Sequence, residues 1–180
     1  MCIRDRQYLS QVSTYQDAAK LLEEARFGQA VALTDAGDYD AAIASLTDLG
    51  DYKGAEKELQ RAKYLKAGKL LENKDWAAAA ALYAELEDYS DSEIRWQAAV
   101  YGQADAAYAG GDAATAMTLF ASLENYSDAA ERAKQCGYDQ ARALADQGQG
   151  LEAADLFASL GEYSDAPAQA QQLYLSLIHI

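Results

Sequence analysis

Apolar and polar positions recur along this chain in a fixed register. In the shorter of two alternating segments the columns read Tyr39/Trp76/Ala113/Gly150, Ala42/Ala79/Ala116/Ala153, Leu46/Tyr83/Phe120/Phe157 and Leu49/Leu86/Leu123/Leu160. Successive steps of 3, 4 and 3 residues trace one stripe of a helix. In the longer segment Phe27/Tyr64/Tyr101/Tyr138 is followed three residues later by Ala30/Ala67/Ala104/Ala141, an aromatic and a small residue on one face. There alanine lets a second helix come close. The columns Leu22/Leu59/Trp96/Ala133 and Leu33/Leu70/Ala107/Leu144 make further faces apolar, as a helix needs when it packs both on its own partner and on the next unit. The pattern predicts long helices over residues 53–72, 90–109 and 127–146, with an earlier copy near 16–35. It predicts shorter helices after turns at Gly37, Lys74, Gly111 and Gly148.

The turn that leads into each long helix carries a tyrosine. Tyr15-Gln-Asp-Ala18, Tyr52-Lys-Gly-Ala55, Tyr89-Ser-Asp-Ser92, Tyr126-Ser-Asp-Ala129 and Tyr163-Ser-Asp-Ala166 stand 37 residues apart. A constant period of this length is the signature of units that stack on their neighbours, so the predicted fold is all-α, a right-handed α-solenoid of helix-turn-helix repeats. Complete repeats run 15–51, 52–88, 89–125 and 126–162, with a partial repeat at 163–174. Ser90-Asp-Ser-Glu93 fits a capping box, and Asp38, Asp75 and Asp112 stand where a carboxylate caps the shorter helix. Tyr15, Tyr52, Tyr89, Tyr126 and Tyr163 are expected to pack in the junction between hairpins, each hydroxyl reaching a backbone group or water. On that reading Tyr89→Ala or Tyr126→Ala costs about 3 kcal/mol, measurable by urea unfolding.

From Gly37 to Leu46, Gly-Asp-Tyr-Asp-Ala-Ala-Ile-Ala-Ser-Leu resembles the turn and second helix of a tetratricopeptide repeat, and Ala30, Ala67, Ala104 and Ala141 supply the small residue expected before it. The resemblance covers residues 15–174. It departs from the family in its longer period and in lacking a proline after the second helix, where a Leu-x-x-Tyr turn stands instead. The chain is also similar to divergent Tyr-x-Asp-Ala/Ser helical arrays of bacterial proteins. The family implies a superhelix whose long helices line a concave surface that binds peptides or partner proteins. One column of the long helix, Gln29/Lys66/Gln103/Gln140, is never apolar although its neighbours are, and should therefore face solvent. On a concave surface it would form a ladder able to hydrogen-bond an extended chain.

The two ends read differently. Met1-Cys-Ile-Arg-Asp-Arg6 and Leu175-Ser-Leu-Ile-His-Ile180 back-translate to one DNA element in opposite orientations, which resembles the transposon end used to prepare sequencing libraries. That resemblance implies artefactual termini at 1–6 and 175–180 around an internal fragment, 7–174, of a larger protein. Setting them aside removes the sole histidine, His179, and Cys2, and leaves 13 basic and 28 acidic residues. Localisation then has no sequence signal to rest on, and oligomeric state has none either. End units that have lost their neighbours are expected to fray or associate.

Charge and composition narrow the chemistry. The formal net charge of −14 disfavours a nucleic-acid partner, whose phosphates need clustered Lys or Arg. No apolar run approaches the roughly 18 residues that span a bilayer, so this segment is expected not to insert in a membrane. With His179 set aside there is no histidine for a triad or a metal site, and Cys136 falls in a column otherwise filled by Ala25, Ala62 and Ala99, the place of a small packed residue. Asp35, Asp38 and Asp40 alternate like calcium ligands but lack the glycine and terminal glutamate that such a loop needs. No catalytic residue, metal or cofactor is expected. The predicted function is a non-enzymatic scaffold that binds a protein or peptide. The alternative is a spacer or regulatory region of a multidomain protein whose catalytic or membrane-anchor domain lies elsewhere.

Overall fold

In a computed structural model that describes residues 18–178, the chain is helical throughout, with no strand among the described residues. Among the described residues the helices are α1 (Ala18–Ala36), α2 (Tyr39–Leu49), α3 (Ala55–Glu72), α4 (Trp76–Ala84), α5 (Ser92–Ala109), α6 (Ala113–Ala121), α7 (Ala129–Asp146), α8 (Gly150–Ser159) and α9 (Ala166–Ile178). Long and short helices alternate as the apolar stripes require. Tyr15 lies outside the described residues, as do residues 1–6.

Helices α3, α5 and α7 end where the pattern places them but start two residues later. Ser90, Ser127 and Ser164, each just after a turn tyrosine, take φ of 57°, 52° and 51°. That left-handed conformation cannot continue into a right-handed helix. The turn is instead closed by the backbone: Ser92 N–H donates to the Tyr89 carbonyl at 3.1 Å, Ala129 to Tyr126 at 3.0 Å and Ala166 to Tyr163 at 3.0 Å. The capping box expected at Ser90 is thereby overturned, because an N-cap residue is extended and directly adjoins its helix. The Ser92 hydroxyl donates to the Tyr89 carbonyl at 2.6 Å.

Shorter helices begin as expected. Gly37, Gly111 and Gly148 take φ of 83°, 85° and 79°, and Lys74 takes 61° in the equivalent place. One residue on, the Asp38 and Asp112 carboxylates accept from the backbone N–H groups of Ala41 and Thr115, at 3.4 and 3.0 Å. Asp75 occupies the same cap position without a side-chain bond.

Alanine lets the helices meet. Ala30, Ala67, Ala104 and Ala141 are fully buried, and so are Ala42, Ala79, Ala116 and Ala153. Leu46, Tyr83, Phe120 and Phe157 fill the space between them, each about 1% exposed or less. Cys136 is fully buried like Ala62 and Ala99, with Ala25 nearly so. Burial pushes the Cys136 thiol pKa up, which makes it a packing residue with little thiolate.

The chain divides at Trp96/Gln97, inside α5, into two compact units. In the first, Ala30, Ala42, Leu46, Ala55 and Ala62 form a core flanked by Phe27, Leu33 and Leu59. In the second, Ala141, Phe157, Ala166 and Ala170 do the same with Tyr138 and Leu160. Both cores include the first residue of the following long helix, Ala55 or Ala166, so each hairpin shares its core with the start of the next. Among the described residues no helix is long and apolar enough to cross a membrane.

Candidate functional site

The chemistry-bearing side chains gather at the seams between successive hairpins. The long-helix phenols reach forward to the aspartate of the next tyrosine turn. Tyr64 donates to Asp91, Tyr101 donates to Asp128 at 2.6 Å, and Tyr138 donates to Asp165, each across 27 residues. Each phenol ring is also held edge-on between two others. Tyr64 meets Tyr83 and Tyr89 with centroids 5.8 and 5.6 Å apart, Tyr101 meets Phe120 and Tyr126 at 5.2 and 5.8 Å, and Tyr138 meets Phe157 and Tyr163 at 5.3 and 6.1 Å. These are favourable tilted geometries for aromatic pairs.

A third side chain, one helical turn beyond the aspartate, completes the arrangement. Arg95 Nε donates to both Asp91 oxygens at 2.9 and 3.0 Å, while its guanidinium lies 5.2 Å over the Tyr64 ring. Gln169 Nε2 donates to Asp165 at 2.9 Å. Arg132, at the corresponding place, turns to Asp105 and covers the rings of Phe120 and Tyr108 at 5.0 and 5.6 Å.

Electrostatics follow from these contacts. The Asp128 carboxylate, with a smaller contribution from burial, pushes the Tyr101 pKa up to about 12. Asp165 likewise raises Tyr138, while for Tyr64 burial raises the pKa most and Asp91 adds to it. The phenol donors in turn hold Asp91, Asp128 and Asp165 below the usual carboxylate range. At neutral pH each of these three seams therefore joins a protonated phenol to an ionised carboxylate, a charge-assisted bond.

The first seam is built from other residues. Phe27 stands in the phenol column, Gly54 in the aspartate column, Glu58 in the arginine column and Leu46 in the aromatic column of the short helix. The Phe27 and Tyr52 rings meet with centroids 5.2 Å apart, and a Cβ on Gly54 would lie 3.4 Å from the Phe27 ring. Glu58 bonds Arg61 at 2.6 Å, and Arg61 also reaches Asp35 at 2.6 Å. All four positions change together, and that was the legible sequence signal for the phenol–carboxylate pairing. Reading each column by itself conceals it.

The turn tyrosines Tyr52, Tyr89, Tyr126 and Tyr163 are half-buried. The Tyr163 hydroxyl donates to the Gln135 side-chain carbonyl at 2.7 Å, Gln135 Nε2 donates to Asp139 at 3.0 Å, and the Tyr108 hydroxyl donates to Asp139 at 2.6 Å. Its partner is thus a side-chain amide, where a backbone group or water was expected. Tyr83 differs from the rest of its column: its hydroxyl is buried without a hydrogen-bond partner, burial raises its pKa, and the nearby Arg95 offsets part of that rise.

The polar column lies as follows. Gln29 is exposed on α1, whereas Lys66 on α3, Gln103 on α5 and Gln140 on α7 are half-buried. The Lys66 ammonium is bonded to Asp40 on α2. Asp35 and Asp40, two of the three alternating aspartates, thus meet cations on α3, and Asp38 caps α2. Two open grooves lie beside turns. One, of about 640 Å³, is lined by Leu46, Gly50, Tyr52, Gly54 and Leu59 among others. The second, of about 460 Å³, is mostly apolar and is lined by Ala158, Pro167, Ala170, Tyr174 and Leu175 among others. No family of known proteins matches the chain, and no curated protein matches it either.

Proposed function

We propose that this chain is a segment of a tetratricopeptide-like α-solenoid that binds a protein or peptide and catalyses no reaction. The observation that carries this reading is the recurrence of one junction. Among the described residues the long helices begin at Ala55, Ser92, Ala129 and Ala166, each 37 residues after the last, in step with the tyrosines. Neighbouring hairpins that meet through equivalent side chains are what a stacking array requires. The polar groups also support it, since the aspartates at 91, 128 and 165 are engaged in holding helices together. Residues 7–174 are the array on this reading, and 1–6 and 175–180 are foreign flanks. Residues 175–178 prolong α9, as a leucine-rich stretch does whatever its origin.

Gln29, Lys66, Gln103 and Gln140 are the proposed partner-binding column, with Gln103 and Gln140 its amide core. Peptides selected for binding from a displayed random library, titrated by fluorescence polarisation, test the proposal. Substituting Gln103 and Gln140 by alanine should weaken the selected peptides roughly tenfold, as losing a hydrogen bond or two predicts. A selection that yields no binder, or binders indifferent to substitution of all four positions, would remove the binding face.

A further inference from the structure

We infer that the seam between the α1–α2 hairpin and α3 is a built-in hinge, the place where the stack opens while the later seams stay shut. Four columns distinguish it. At the other seams a phenol on the long helix is bonded to an aspartate of the next turn and sits between two aromatic rings. Here Phe27 has no hydroxyl to donate, Gly54 has no carboxylate to accept, and Leu46 supplies no third ring. Glu58 puts a negative charge where Arg95 clamps Asp91. The losses are coordinated: each change removes the partner that another would have needed, which leaves no orphaned polar group and no clash. A seam that has lost its polar latch in this way is still a well-formed apolar contact, but a weaker one.

The replacement links point the same way. Arg61–Asp35 and Lys66–Asp40 cross this seam, and their side chains are between 31% and 83% exposed. Such pairs contribute little and are screened by salt. The turn itself is freer. Gly54 takes a left-handed φ of 96° where the latched turns carry an aspartate after a left-handed serine, whereas the position of Gly50 is left-handed in those turns too, at Glu87, Glu124 and Gly161. The groove of about 640 Å³ also lets water reach Tyr52 and Leu59. Opening here would swing α1–α2 as a body about residues 50–54 and expose Ala55 and Leu59, with α3 onward kept intact. The inference concerns the cohesion of the stack and holds whatever the protein binds.

Native-state hydrogen exchange on the full chain tests it. Amides of α1 and α2 should exchange at least roughly tenfold faster than those of α7 and α8, through an opening that leaves α7 and α8 protected. Equal protection in the two hairpins would overturn the hinge. Simple fraying of the first helix is separated from it by building the missing latch: Phe27→Tyr with Lys53→Ser, Gly54→Asp and Glu58→Arg. That variant should slow exchange in α1 and α2 towards the rate of the latched hairpins, whereas unchanged rates in a folded variant would refute the inference. Asp35→Asn with Asp40→Asn provides an arm that does not depend on the new latch folding. Because such pairs contribute little, it should leave exchange in α1 and α2 within roughly twofold of the parent and α7 and α8 unaltered, whereas a loss of protection of roughly tenfold or more would show the pairs to be a strong latch and count against the hinge.

Discussion

At the scale of single residues, a phenol held by a carboxylate has its own pH signature. Tyr101 has its pKa pushed up to about 12, against about 10 in an unfolded chain, so its share of stability is complete below about pH 10 and is lost as pH rises through about 12. Asp128 is shifted the other way. Its share is present above about pH 4 and is lost as pH falls through its lowered value. Tyr101→Phe should therefore lower the thermal midpoint at neutral pH, and the gap from the parent should narrow at both extremes of a pH series. Tyr83 offers the opposite case, a buried hydroxyl with no partner in a column where Phe120 and Phe157 already stand. Tyr83→Phe is expected to stabilise by about 1 kcal/mol, since an unsatisfied buried group is removed with no change of shape. The turn tyrosines are half-buried, so for Tyr126→Ala the expected cost falls to about 2 kcal/mol, checked by equilibrium urea unfolding.

For whole elements, backbone conformation at the turns decides where helices begin. Lys74 holds φ of 61° where Gly37, Gly111 and Gly148 stand in the other hairpins. A left-handed non-glycine residue is strained, so Lys74→Gly should raise stability by about 1 kcal/mol, read from the denaturation midpoint. The elements were legible from sequence because their signals are local. Apolar steps of 3 and 4 mark the helical stripes, and Gly-x-Tyr or Asn-Lys-Asp marks a break. The starts of α3, α5 and α7 were misplaced by two residues for a different reason. Ser90 reads as a good N-cap, but the backbone bond from Ser92 to Tyr89 commits Ser90 to a left-handed turn. Side-chain preference lost to turn closure.

Across the molecule, each seam joins near neighbours in sequence, and the bonds Tyr64–Asp91, Tyr101–Asp128 and Tyr138–Asp165 each span 27 residues. In the proposed solenoid, damage should therefore stay local. Phe157, about 1% exposed between α7 and α9, is expected to cost about 3 to 4 kcal/mol on substitution by alanine. Hydrogen exchange of that variant should show protection falling in α7, α8 and α9 while α3 and α4 keep theirs. A uniform loss across the chain would mean that the hairpins unfold as one cooperative unit.

Taken alone, the chain's own order of residues determined the helical class, the alternation of long and short helices, the alanine columns that let them meet and the place of Cys136 among them. All of these rest on spacing within one helix or on strict repetition, and both are local properties. Only the tertiary structure decided which polar atoms pair. Asp91 could have capped its own helix and Lys66 could have stood free in a ladder, but stacking brings Tyr64 to the first and Asp40 to the second. A carboxylate takes the donor that packing delivers to it. Which donor that is depends on how one hairpin lies on the next, a relation that no single segment contains.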